Sequence, residues 1–203
     1  VNSPLPKPET TQAQVERLTA EAKLLSDAGK EAQALDVYRN AASLMPGAPW
    51  LQNRTAELAR KLKQTEIATE HYRRAAAAFV MAGFPKRGIG PLRTAWTLCF
   101  GSLPKYAVAF VGVTSELAEL QRELGFGSES QHLVETSNDA LRDKGCTEFV
   151  PVVTLLEEHN RPTRRVEAPR EFGDTGIAPE SGIKASPAAA TDLFARVRAT
   201  LKY

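Results

Sequence analysis

The segment Ala34-Leu35-Asp36-Val37-Tyr38-Arg39-Asn40-Ala41 returns as Ala68-Thr69-Glu70-His71-Tyr72-Arg73-Arg74-Ala75, so Tyr38 and Tyr72 are twins 34 positions apart. A small–aromatic–small seam at that spacing is the mark of stacked helix pairs, each covering its neighbour's apolar face. The requirement is steric: small residues sit where helix axes cross, and large ones beside them. A stack of this kind offers a groove to other proteins and generally holds no reaction centre.

The helical period begins at Thr11. Leu18, Ala22 and Leu25 line one face of a first helix that Gly29 ends; Ala34, Tyr38, Ala41 and Leu44 line a second, stopped by Pro46-Gly47. Taken together, Leu18, Ala22, Leu25, Gly29, Ala34, Tyr38, Ala41 and Pro46 resemble the tetratricopeptide repeat. A second unit, about 49–82, keeps Ala56, Ala59, Ala68, Tyr72 and Ala75 but carries Lys63 for the turn glycine and Val80 for the closing proline. From Tyr72 the pattern is met again by Ala76, Phe79, Gly83, Gly88, Leu92 and Ala95. One helix thus fits as the end of one unit and the start of the next. Gly88, Gly90 and Pro91 are poor helix residues, and predict that the helix near 86–101 begins late, close to Gly90, with Pro91 in its first turn.

A weaker echo follows at an offset of 62, where Glu57-Leu58, Leu62 and Gly83 match Glu119-Leu120, Leu124 and Gly145. It predicts helices at about 115–125, 128–144 and 147–159, with Ser130, Val134 and Ser137 in place of the Ala–Tyr–Ala seam. Leu103 to Val108 reads as a short buried connecting helix with Pro104 near its start. The resemblance implies an all-α, right-handed superhelical solenoid of antiparallel helix pairs over 11–160, clear over 15–100 and degenerate over 115–160. Residues 1–10, with three prolines, read as a disordered arm, and 161–186 as a flexible linker. An amphipathic helix over 187–203 carries the stripe Leu193, Phe194, Val197 and Leu201. That stripe either caps the solenoid or docks on another protein, and the long linker before it favours docking.

Composition narrows the function. The chain of 203 residues has 26 Lys and Arg against 24 Asp and Glu, a net charge of only +2, which argues against a dedicated nucleic-acid binder. Cys99 and Cys146 fall inside helical patterns without a motif, as small buried thiols of a reducing compartment do. His71, His132 and His159 stand on separate predicted helices, and each is expected to be a partly exposed structural residue, His71 as the flank of a buried tyrosine. The glycine-rich piece 83–90 lacks the preceding strand and the Lys-Ser ending of a phosphate loop, so it reads as a helix break. No nucleophile–base pair or metal spacing appears; no enzyme, metal or cofactor is expected. The first residues show no signal peptide, and the longest apolar run, Ala107 to Val113, is far below the roughly 20 residues a membrane-spanning helix needs. A soluble, cytoplasmic protein is expected.

In tetratricopeptide proteins the ligand lies against the first helix of each pair. Carried over by repeat position, that face is Thr19, Lys23 and Asp27 in the first unit, Asn53, Glu57 and Arg60 in the second, and Arg73 and Ala77 in the overlapping third. The Lys/Asn clamp with which some members grip a C-terminal carboxylate is met here only at Asn53. Glu57 to Lys61 and Glu70 to Arg74 are spaced for surface ion pairs along a helix. The resemblance implies a protein–protein adaptor or accessory subunit that holds a partner in the groove and by the C-terminal helix. An assembly or secretion chaperone is the nearest alternative, and helical-repeat RNA binding a more distant one.

Overall fold

The computed structural model describes residues 10–150; among them are seven α-helices, one 3-10 turn and no strand. The helices are α1 (Thr11–Asp27), α2 (Glu31–Leu44), α3 (Pro49–Lys61), α4 (Thr65–Met81), α5 (Pro85–Phe100), α6 (Ala107–Glu123) and α7 (Gly127–Asp143), followed by the 3-10 turn Thr147–Phe149. Each helix packs chiefly on its neighbours in sequence. α4 packs most extensively, on α3 and α5 alike, which is the double role expected of the helix that carries Tyr72.

The seam residues make this packing. Ala34, Tyr38 and Ala41 on α2 are buried, and so are Ala68, Tyr72 and Ala75 on α4. Ser130, Val134 and Ser137 on α7 are fully buried at the equivalent positions, 62 residues beyond α4. Trp96 Nε1 donates to Ser137 Oγ at 3.0 Å, and Ser137 Oγ also lies 3.3 Å from Thr114 Oγ1. A second apolar cluster forms here, with Cys99 and Cys146 buried as free thiols and Phe110 5.5 Å from the Trp96 ring.

Five helix ends close in one way. Gly29, Lys63, Gly83, Gly125 and Gly145 take positive φ, and each donates its N–H to the carbonyl three residues back. The next residue donates to the carbonyl five residues back, as in Lys30 N to Leu25 O and Gln64 N to Ala59 O, both 2.9 Å. These paired bonds satisfy carbonyls that a helix end leaves orphaned, and turn the chain within three residues. Lys63 therefore does the work of the missing turn glycine. The 62-residue echo holds at the level of elements: Thr65–Met81 recurs as Gly127–Asp143, and Leu62 and Leu124 are both helix C-caps.

Three sequence expectations are corrected. α5 begins at Pro85, not near Gly90, because Pro85 can occupy the first helical position and close packing at Gly88 offsets that residue's poor helix propensity. A Cβ on Gly88 would stand 3.2 Å from the Ala76 carbonyl oxygen and 3.2 Å from Leu120 Cδ2, so glycine lets α5 approach α4 and α6. Residues 101–106 form turns with a cis Leu103–Pro104 bond and not a connecting helix, as proline disfavours a helical conformation in the residue before it. α6 starts at Ala107, well before 115, and absorbs the apolar run Ala107 to Val113 in its first half, where Ala107, Phe110, Val111 and Val113 are buried and Val108 is exposed. Of the helix expected at 147–159, the described part opens as a 3-10 turn, and the remainder lies outside the described residues, as do the arm, the linker and the C-terminal stripe.

Candidate partner-binding site

Two of the groove residues inferred from repeat position come together. Thr19 and Lys23 on α1 line a pocket of about 270 Å³ with Gln12, Glu16, Tyr38 of α2 and Trp50 of α3. The buried Val15 and Tyr38 line it with apolar surface beside the exposed Ala20, and the exposed Lys23 and Glu16 add one charge of each sign. Trp50 stands at the mouth, 53% exposed, beside the fully buried Leu51. Helical spacing explains the contrast: Leu51 takes the core-facing position at the start of α3, and its neighbour is turned out. Thr19 Oγ1 donates back to the Val15 carbonyl at 2.6 Å, leaving its oxygen lone pairs to accept from a ligand.

The twin tyrosines both reach α3. Tyr38 raises the pKa of the Arg54 guanidinium, and Glu57, 3.6 Å away, raises it further; burial opposes both. Tyr72 is pushed above the ordinary phenol value by burial, against the pull of Arg60. Of the remaining groove residues, Asp27 and Ala77 are exposed and Asn53 is half-buried, its Oδ1 enclosed without a hydrogen-bond partner among the described residues. Glu57 pairs with Arg54 and not with Lys61 as its spacing suggested, whereas the Glu70–Arg74 pair forms at 2.9 Å.

Arg73 serves the fold. Its Nε donates to both carboxylate oxygens of Glu116 on α6 at 3.0 Å, its Nη2 donates to the same carboxylate, and its Nη1 lies 3.7 Å from Glu70. Glu116 raises the guanidinium pKa further above its usual value, over the opposing effect of burial. A side chain so engaged is a poor groove contact.

His71 is also corrected. It is 6% exposed, not a flank residue, and faces Gln52 on α3. Its Nδ1 is 2.7 Å from Gln52 Oε1, and the Gln52 amide nitrogen donates to the Ala42 carbonyl at 3.2 Å, fixing His71 Nδ1 as the donor. Burial first, then Arg74 and Arg39, lower the imidazole to about 4, so it is neutral at pH 7. Glu119 on α6 moves the other way, to about 7, through burial and the neighbouring Glu123, with Arg122 opposing. Neither group lies in the pocket lining. Among the described residues no three His, Cys, Asp or Glu side chains gather where a metal ion could sit, and no helix is long and apolar enough to cross a membrane.

Repeat position supplied Thr19 and Lys23 but not the lining residues Gln12, Val15, Glu16, Ala20 and Trp50. Trp50 was detectable as a large aromatic next to a core leucine, out of phase with the buried period. Neither protein-family models nor curated proteins give a match to this chain.

Proposed function

We propose that this chain is a tetratricopeptide-like solenoid of antiparallel helix pairs that works as a non-enzymatic adaptor, holding a protein partner against α1 and α3. The observation that carries the reading is the pocket at which Thr19 and Lys23, expected to face a ligand from repeat position alone, meet Tyr38 and the exposed Trp50. The 34-residue recurrence, with its repeated turn, supports the repeat architecture. An apolar lining with one Lys and one Glu suits an extended peptide that buries an apolar side chain and is oriented by polar contacts. The lining holds as many charged side chains as aromatic ones, which gives a client-sheltering chaperone no preference over an adaptor.

Affinity capture with the full chain, compared with Trp50→Ala and Lys23→Glu, tests the reading. A partner recovered by the wild type and lost from both variants, while their helical circular dichroism is unchanged, is the expected result. Partners retained equally by both variants would remove the pocket from the function, and turnover abolished by a single polar substitution would overturn the non-enzymatic reading.

A further inference from the structure

Between Glu70 and Glu116 the chain contains no Asp or Glu at all, although the whole sequence is nearly charge-balanced. Of the cations in that stretch, Arg73 and Arg74 are neutralised by Glu70 and Glu116. Lys86, Arg87, Arg93 and Lys105 form no ion pair with a carboxylate among the described residues. Of the eight exposed large hydrophobic residues among those described, five also fall in this stretch: Val80, Met81, Phe84, Phe100 and Val108.

Part of this charge and apolar surface lies on one face of α5. Lys86, Gly90, Arg93, Thr97 and Phe100 are all exposed and follow one another at spacings of four and three, which places them in a single stripe about 20 Å long. At its head Arg87 stacks over the Phe84 ring at 5.1 Å, three residues on from Met81, which is 75% exposed.

Two choices in this stripe are unfavourable in the chain by itself. Lys86 and Arg87 occupy the first turn of α5, where the helix dipole favours negative charge, and no acidic residue is there to offset them. Gly90 lies in the exposed helix interior, where glycine weakens a helix. Unlike Gly88, it has no internal reason to be there, since a Cβ built on it meets nothing within 4 Å. An anion beside the first turn relieves the first cost, and a chain passing close over Gly90 gives a use to the second.

We infer that the solvent face of α5 is a docking surface for an acidic polypeptide segment carrying apolar side chains, which crosses at Gly90 between Lys86–Arg87 and Arg93 and covers Phe84 and Met81. Charge complementarity selects an acidic occupant. The exposed Met and Phe select a polypeptide over a sugar–phosphate backbone, which would leave them uncovered. A bilayer surface gains nothing from a glycine in mid-helix, whereas a closely approaching chain does. This surface is separate from the Trp50 pocket and stands without it.

The test pans displayed random peptides of 16 residues, the length of α5, on the full chain. The consensus peptide, labelled with fluorescein, is then titrated by anisotropy. Acidic peptides with interspersed Leu or Phe are expected. Their binding should weaken at least roughly tenfold in Lys86→Glu/Arg87→Glu/Arg93→Glu and in Gly90→Leu, and remain in Trp50→Ala. The charge-reversed variant should also melt at a higher temperature than the wild type, since Glu suits a helix N-terminus, so lost binding cannot be put down to unfolding. Enrichment without acidic bias, or equal binding by the variants, overturns the inference. So does charge-sensitive binding seen only with phosphatidylserine vesicles or only with polyuridylate.

Discussion

The imidazole of His71 on α4 donates to the side-chain carbonyl of Gln52 on α3 at 2.7 Å, and Gln52 passes the connection on through its amide to the carbonyls of Ala42 and Pro46 at 3.2 and 3.4 Å. Two buried polar side chains thereby join α4, α3 and the end of α2. Through Gln52 the bridge also reaches the Pro46 carbonyl in the turn between α2 and α3.

Acid should expose the cost of burying His71. Its pKa is 6.5 in the unfolded chain and about 4 in the fold, so the unfolded state takes up the proton first. The stability is complete above pH 6.5 and falls as pH drops toward 4, by up to about 3 kcal/mol. Glu119 has the opposite sign. Its carboxyl is raised from 4.5 to about 7, so the ionised form weakens the fold above pH 7, and acidification toward 4.5 relieves that. The two act over nearly the same window and oppose each other. Urea unfolding at pH 7 and pH 4.5 should show a shallow change for the wild type, a steep acid loss for Glu119→Gln, and acid stabilisation for His71→Asn. Equal slopes in all three would refute the assignment.

Gln52→Ala should be more damaging than its size suggests. It leaves the buried His71 N–H and the Ala42 carbonyl without partners, at about 2–3 kcal/mol. Gln52→Glu keeps the acceptor for His71 but removes the donor, and the charge it brings should raise the imidazole pKa. A two-dimensional NMR titration of the His71 ring reads that shift directly; an unmoved titration would show that the two side chains do not share a proton.

Much of this architecture was legible because the signals were local. The positions of Tyr38 and Tyr72 set the first period, and the matched pairs Leu62–Leu124 and Gly83–Gly145 fall at equivalent helix ends in the structure. What was misread depended on tertiary contact. Gly88 looked like a helix breaker until Ala76 and Leu120 were found against it. His71 read as a flank because nothing in its own helix announces Gln52, 19 residues away. The pocket was half legible: repeat position supplied Thr19 and Lys23, but Trp50 belongs to the outward phase of α3, which a search for buried periodicity passes over.

Lys63 offers a direct test of the shared turn. Its φ of 58° is in the left-handed region, which costs a side-chain-bearing residue about 1 kcal/mol, and the four equivalent turns use glycine. Lys63→Gly is therefore expected to raise stability by about 0.5–1 kcal/mol, in spite of the flexibility it adds to the unfolded chain. The reverse change, Gly29→Ala, should cost about 1 kcal/mol. Nothing lies within 4 Å of a Cβ there, so the backbone alone is being measured. Chemical denaturation gives both values, and a destabilised Lys63→Gly would show that the lysine side chain contributes more than its backbone strain removes.

The Arg73–Glu116 pair should couple α4 to α6 energetically, even though α5 separates them in sequence. Glu116 is largely enclosed, with its side chain 13% exposed, while Arg73 is 36% exposed and also touches Glu70. Removing the carboxylate leaves the guanidinium partly solvated and still paired to Glu70, so Glu116→Gln should cost only about 1–2 kcal/mol. Removing the arginine strands Glu116 in an enclosed position, and Arg73→Met should cost more than Glu116→Gln. A double-mutant cycle in urea, repeated at high salt, separates the pair from its surroundings. A coupling energy that survives salt identifies an enclosed, bidentate contact; one that vanishes would place Arg73 among the screened surface charges and return it to the candidate groove.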